Sequence, residues 1–304
     1  MDKPYTVHNI LHEAFRTLIF SRIWVALCVL GYTQASFLLF DGETEIHIYS
    51  IMLMLGGYVL YVLPFLYFSL VKKVTKAYTD RQRWIQSHLT RFYITSAVVI
   101  LLLCVLGLYN IPIFFRLVLH GIVVGIVTVL YELPLIPLPH KNRLFALREM
   151  GLIKPVILTF VWWYLGAYGI AQGWATIGDV ETGITPTQWV LLSIQFVFML
   201  ILCVLFDVRD YAIDEPRNII TWPVRWGIKN TNIILITLSI IGISSSWLIN
   251  VPMFIKVANT LSFAVLIFYS SGAIKKTTWW FHDFAVDGMM LLQWGLLYLF
   301  YVLL

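Results

Sequence analysis

The sequence predicts an all-α protein, a polytopic membrane bundle of about nine transmembrane helices that forms one domain over residues 1–304. Three observations predict it. The 304 residues are 60% hydrophobic and only 12% charged, whereas soluble chains are about 45–50% apolar and about 25% charged. Largely apolar runs of about 20 residues, the length a helix needs to cross a bilayer, recur along the whole chain. The basic residues fall in every second interval between those runs. A surface this apolar would aggregate in water, so lipid is its natural solvent.

The runs lie at 20–40, 48–71, 92–109, 112–137, 152–174, 187–206, 231–249, 252–270 and 284–303. Proline lacks the N–H that a helix ladder needs, so the fourth is expected to loosen near Pro134, Pro137 and Pro139. Lysine and arginine accumulate in cytoplasmic loops. Here they stand before the first run (Lys3, Arg16, Arg22) and after the second (Lys72, Lys73, Lys76, Arg81, Arg83, Arg91). Further groups follow the fourth (Lys141, Arg143, Arg148, Lys154), the sixth (Arg209, Arg217, Arg225, Lys229) and the eighth (Lys275, Lys276). The intervals after the first, third, fifth and seventh runs hold none. Of the 21 basic residues only Arg116 and Lys256 fall elsewhere, near the far ends of their runs, where long side chains snorkel to the interface. The alternation places the N-terminus in the cytoplasm and the C-terminus outside. Residues Met1–Arg16 lack the short apolar core of a cleavable signal. Cys28, Cys104 and Cys203 lie inside apolar runs without metal-ligand spacing and are expected to be packing residues.

Long polar segments sit on the basic side, apart from Asp179–Pro186, so aqueous chemistry is expected at that face. The segment after the sixth run reads FDVRDYAIDEPRNIITWPVRWG. Asp207, Asp210 and Asp214 are spaced i, i+3, i+7, which places them on one face if the helix continues. Three carboxylates so close repel one another unless a cation sits among them. Mg²⁺ prefers a few carboxylates together with substrate phosphates, so a diphosphate held through Mg²⁺ is one ligand that fits. Arg209, Arg217, Arg225 and the basic loop around Lys72 and Lys73 would then face its oxygens. The alternative is local pairing of Asp207 and Asp210 with Arg209 and Arg217, as at many cytoplasmic helix ends.

Asp207, Asp210 and Asp214, followed by Thr221, Pro223, Val224 and Gly227, resemble the second aspartate-rich motif of the UbiA superfamily of membrane prenyltransferases, D-x-x-D-x-x-x-D and then T-x-P-V and a glycine. FSRIWVALC at 20–28, YELPL at 131–135 with Lys141 and Arg143 beyond it, LREMGLIKP at 147–155 and DGMMLLQ at 287–293 are similar to further segments of that family. The resemblance implies a UbiA-like helical bundle and a transferase that moves an isoprenoid from an allylic prenyl diphosphate to a lipophilic or aromatic acceptor. It implies Mg²⁺ on Asp207, Asp210 and Asp214, and substrate contacts from Arg217, Lys141, Arg143, Tyr131, Lys72 and Lys73. The last-helix segment resembles a bacterial branch, which implies a bacterial inner membrane. The family's first aspartate motif, after its second helix, has no counterpart: no Asn or Asp occurs from Gly56 until Asp80.

That departure leaves a second expectation open, a homologue that binds an isoprenoid or a partner enzyme without turnover. A third, a transporter coupled to the helix-end carboxylates, is disfavoured because transporter sites lie near the midplane. Membrane lipid is an expected partner and nucleic acid is not, since no nucleic-acid-binding module, Gly-rich phosphate loop or serine triad occurs. Arg116 and His120 stand one turn apart and are read first as interface residues. Gln195 and Asn259 face either a cavity or a neighbouring helix. His8, His12 and Glu13 belong to an amphipathic N-terminal helix. Trp279 and Trp280 form an interfacial belt, and Trp162 and Trp163 pack.

Overall fold

The computed structural model describes residues 7–71, 80–132, 135–137, 144–175, 183–272 and 281–304. Its elements are α1 Val7–Phe20, α2 Ile23–Phe40, α3 Ile48–Val71, α4 Asp80–Ser87, α5 Leu89–Tyr109 and α6 Ile111–Glu132. There follow a two-residue hairpin pair, β1 Ile136–Pro137 against β2 Leu144–Phe145, and α7 Lys154–Trp163. A π-helical turn, Tyr164–Tyr168, joins α7 to the short α8, Gly169–Ala171. The remaining helices are α9 Pro186–Asp214, α10 Trp222–Leu248, α11 Met253–Ser270 and α12 Met289–Leu303, the last preceded by a second π turn, Phe281–Val286.

Seven described helices are long and apolar enough to cross a membrane. The other two expected runs coincide with α3 and with the composite segment α7–π–α8. The fourth run ends at Glu132, before its prolines, and Pro137 lies in β1 rather than in a helix. The sixth does not stop at 206 but runs on to Asp214. α9 starts on a capping box, with Thr185 Oγ1 accepting from Gln188 N and Pro186 at the first helical position, a combination that satisfies N–H groups the helix leaves free.

Neighbouring helices close a ring in which α2 packs on α12, α12 on α11, α11 on α10, α10 on α9, α9 on α7, and the π turn after α7 on α2 again. The main core lies inside this ring and includes Tyr32, Leu192, Phe198, Phe263 and Met289. α3, α5 and α6 build onto α2 and the π turn around Val29, Tyr49, Met52 and Ile113. α5 and α6 turn most of their surface outward, with only 17% of each span buried and Ile94, Leu101, Leu108, Phe115 and Ile126 exposed. In lipid that surface is matched to its surroundings. Six buried hydroxyls inside the helices donate to carbonyls four residues back, at Thr33, Ser36, Thr159, Ser239, Ser246 and Ser262, as hydroxyls shielded from water do.

Candidate functional site

The site is assembled where α9 ends. Pro216 cannot continue the ladder. Asn218 takes a left-handed conformation, φ 55°, which asparagine tolerates. The N–H of Asn218 then bonds Glu215 O at 3.1 Å and that of Ile219 bonds Asp214 O at 3.1 Å, the two bonds of a Schellman turn. The chain leaves this turn at Thr221, which opens α10. Gly227 interrupts α10 with φ 79° and ψ 153°, a conformation that only glycine adopts without strain. The T-x-P-V-and-glycine segment is thus a backbone device.

That device holds the start of α7. Trp222 Nε1 donates to Leu152 O at 2.9 Å. A Cβ on Gly151 would come within 2.2 Å of Ile220 O, so only glycine allows the two backbones to lie so close. The first residue of α7, Lys154, is thereby set against the side of α9. Its Nζ lies 2.7 Å from Asp207 Oδ1 and 3.9 Å from Asp214 Oδ2. The Lys154 and Asp207 side chains are 14% and 1% exposed. An ion pair this buried is sustained by mutual contact, because a lone charge there would be costly. Asp207 Oδ2 has no hydrogen-bond donor among the described residues.

Asp210 turns to a different cation. Arg209 Nε donates to Asp210 Oδ1 at 2.8 Å, and Arg209 Nη1 to Asp283 Oδ1 at 2.8 Å. The guanidinium also lies 4.8 Å from the Phe206 ring centre, a cation–π contact. Asp283 is carried by the π turn before α12. Trp24 of α2 fixes that turn by donating Nε1 to Phe284 O at 3.0 Å and stacking on the Phe284 ring at 4.4 Å. His282 is buried on the same turn, and Asp287 is buried just after it.

Asp207 and Asp214 therefore share one cation, and Asp210 takes another. Asp210 pairs locally with Arg209, as the alternative reading of the sequence has it, whereas the partner of Asp207 is Lys154. Lys154 and Asp283 were not among the site residues expected from the sequence. DGMMLLQ hinted at this end of α12, and LREMGLIKP contained the lysine. Tyr131 is buried at the end of α6. Lys72, Lys73, Lys141 and Arg143 lie outside the described residues, as do Trp279 and Trp280. Arg217 closes the turn after α9, and its side chain is likewise outside them.

A magnesium ion asks for converging oxygens. Among the described residues no group of three or more His, Cys, Asp or Glu side chains is placed to hold a metal, and the space between Asp207 and Asp214 contains the Lys154 ammonium. As the side chains stand, they do not fit the ion.

The remaining polar candidates are distributed elsewhere. His120 Nδ1 lies 3.0 Å from Tyr164 Oη, and its ring stacks on Trp174 at 3.6 Å. Arg116 reaches Gly173 O. Asn259 donates across to Ser246 of α10 at 3.2 Å. Gln195 is buried, with neither amide atom bonded among the described residues. Trp163 donates to Leu192 O, and Trp162 stacks on Tyr61. Glu13 accepts from Trp84 of α4 at 3.1 Å, which ties the N-terminal helix to the bundle.

Compared with models of protein families, with curated proteins and with solved structures, the chain matches none. Fold and site define a class: a helical, multi-pass membrane protein with ion pairs clustered at the end of its 29-residue helix.

Proposed function

We propose that the protein is a UbiA-type integral membrane prenyltransferase, moving an isoprenoid from an allylic prenyl diphosphate to a lipophilic or aromatic acceptor. The observation that supports it is the buried carboxylate pair Asp207 and Asp214 at the end of α9, beside the apolar core of the helical ring. In this reading the allylic C–O bond breaks and its electron pair leaves with the diphosphate. The acceptor then attacks the allylic cation and loses a proton. The apolar helices around it exclude water from the cation, and fixed charges near the end of α9 stabilise the departing anion. Arg209 is committed to Asp210 and Asp283; the resemblance implies diphosphate contacts from Lys141, Arg143, Arg217, Lys72, Lys73 and Tyr131. The resemblance implies Mg²⁺ at Asp207, Asp210 and Asp214, and the Lys154 ammonium between Asp207 and Asp214 stands against that part of the reading. The same proposal sets the basic face in the cytoplasm of a bacterial inner membrane, the C-terminus outside, and nine spans across it.

The second reading, a homologue that binds an isoprenoid without turning it over, is favoured by Lys154 itself, which already neutralises the carboxylates. One assay separates the two. Purified protein is given allylic prenyl diphosphates of several lengths and a membrane lipid extract, with and without Mg²⁺, and released diphosphate is measured. Metal-dependent release that disappears in Asp210→Ala, whose side chain is partly exposed and so tolerates removal, supports the transferase. Binding without release at every chain length refutes it in favour of the second reading.

A further inference from the structure

We propose that His120 and Tyr164 form a separate ligand site, open to the bilayer at mid-depth, that takes a flat, lipid-soluble ring bearing a carbonyl oxygen, the chemistry of a quinone. The site stands apart from the Asp207 cluster and does not require the transfer reaction.

Depth carries the first step. His120 lies nine residues along α6 from Ile111, and Tyr164 ten residues beyond Lys154, the first residue of α7. At 1.5 Å per residue these are about 13 Å from one end of the bundle and about 15 Å from the other. The hydrocarbon core of a bilayer is about 30 Å thick, so the pair sits near its middle, out of reach of phospholipid headgroups. Both side chains are only partly buried. An ionisable side chain at such depth is costly and marks function before packing.

The chemistry of the pair and the shape around it select the ligand. His120 Nδ1 and Tyr164 Oη are 3.0 Å apart. With the phenol donating to Nδ1, the neutral imidazole carries its proton on Nε2. That N–H has no acceptor among the described residues, and hydrocarbon holds no water to take it. It is short of an oxygen, which a molecule dissolved in the bilayer can bring. The imidazole is held flat against Trp174, with ring centres 3.6 Å apart and planes at 7°. Beside it Phe160, Tyr164 and Tyr168 form a ladder of near-parallel rings, 5.4 and 5.8 Å apart with planes at 20° and 12°. The ladder runs along the π turn, a distortion that recurs at functional sites. Phe160 at its end is exposed, so the rings open towards lipid. Such faces take a flat conjugated ring by offset stacking, and the Nε2–H then meets its carbonyl. An alkyl chain has neither the flat face nor the oxygen.

The test places the full-length protein in lipid nanodiscs and uses a benzoquinone with a decyl tail as the probe. Wild type should retain the probe above the level of empty nanodiscs. His120→Phe keeps a stacked ring but removes the N–H, and should weaken binding about tenfold, the worth of one hydrogen bond shielded from water. His120→Gln, whose side-chain amide also donates, should restore most of the affinity. A second measurement needs no variant: the infrared carbonyl band of the carbon-13-labelled probe should move to lower frequency in wild-type nanodiscs relative to empty ones. Retention no greater than in empty nanodiscs, equal affinity in wild type and His120→Phe, or an unshifted band overturns the proposal. Equal retention of decylbenzene, which lacks the oxygens, overturns it as well. None of these readouts involves diphosphate or turnover, so failure here is distinct from failure of the transferase assay.

Discussion

Gly151→Ala tests whether the glycine contact, rather than the aspartate helix alone, builds the site. The new Cβ would stand 2.2 Å from Ile220 O, 2.3 Å from Ile220 C and 2.7 Å from Thr221 N. Ordinary contact lies near 3.5 Å, so one backbone must retreat by about 1 Å. The obstacles are main-chain atoms held by the Schellman turn on one side and the start of α10 on the other, so no side chain can swing aside. The segment bearing Lys154 has to move. Overpacking of this kind costs about 1–3 kcal/mol. The same retreat carries the 2.7 Å ammonium contact out of hydrogen-bond range, since contacts beyond about 3.5 Å no longer count as bonds. Unfolding of purified protein by SDS from mixed micelles, followed by tryptophan fluorescence, measures the loss. Gly56→Ala is the control, because a Cβ there meets nothing within 4 Å. In α3 it should be neutral or slightly stabilising, as alanine favours helix over glycine by about 1 kcal/mol. A Gly151→Ala protein that unfolds at the wild-type midpoint would refute the reasoning.

Two further predictions address the other charges. Arg209→Met takes the guanidinium away from Asp283, whose side chain is 10% exposed, but Arg209 is itself 30% exposed. The loss should therefore be about 1–3 kcal/mol, below the about 3–5 of a fully buried pair. Asp283→Asn combined with Arg209→Met should cost less than the two single changes added together, and strict additivity in the same SDS titration would break the pair. At the opposite end of the bundle, Asp41 follows α2 beside a cavity lined by Glu43, His47 and Asn110. Asp41 is exposed at the surface, yet partial burial of its carboxyl beside the cavity, and then Glu43, push it from 3.8 up to about 6. The folded state thus holds this proton more tightly than the unfolded chain. The group's contribution to stability is greatest below its unfolded value and is lost as pH rises through about 6. An infrared carboxylic-acid band should vanish over that interval and be missing from Asp41→Asn, and a band that titrates near 4 would contradict the assignment.

Much of the helical layout was legible because two independent signals coincide, apolar length and the side on which lysine and arginine fall. The regular alternation after runs two, four, six and eight is what separated α5 from α6, which only Asn110 divides. The π turns were not legible: Tyr164–Tyr168 is composed like the helix around it, and it packs on α2, α3 and α6, elements distant in the chain. The carboxylates of α9 were readable as a spaced triplet, but their partners were not. Spacing along one helix says nothing about a lysine more than 50 residues earlier in the chain, and Lys154 looked like one more basic loop residue. Nor does i, i+3, i+7 spacing force three side chains onto one ion. Arg209, directly before Asp210, diverts the middle one.

Among the described residues the long-range ion pairs share an order. Lys154 precedes Asp207 and Asp214 in the chain, and Arg209 precedes Asp283. A polypeptide made from its N-terminus delivers each cation to the membrane boundary before the carboxylate that will meet it. An aspartate within a helix entering lipid is penalised by up to about 2.5–3.5 kcal/mol at the centre, and less toward the ends. For the carboxylates of α9 and of the turn before α12, the neutralising charge is already waiting when they arrive. Reversing either pair, lysine for aspartate, would keep the finished contact and lose that sequence of arrival, so biogenesis in the membrane and stability in detergent are separable properties of this cluster.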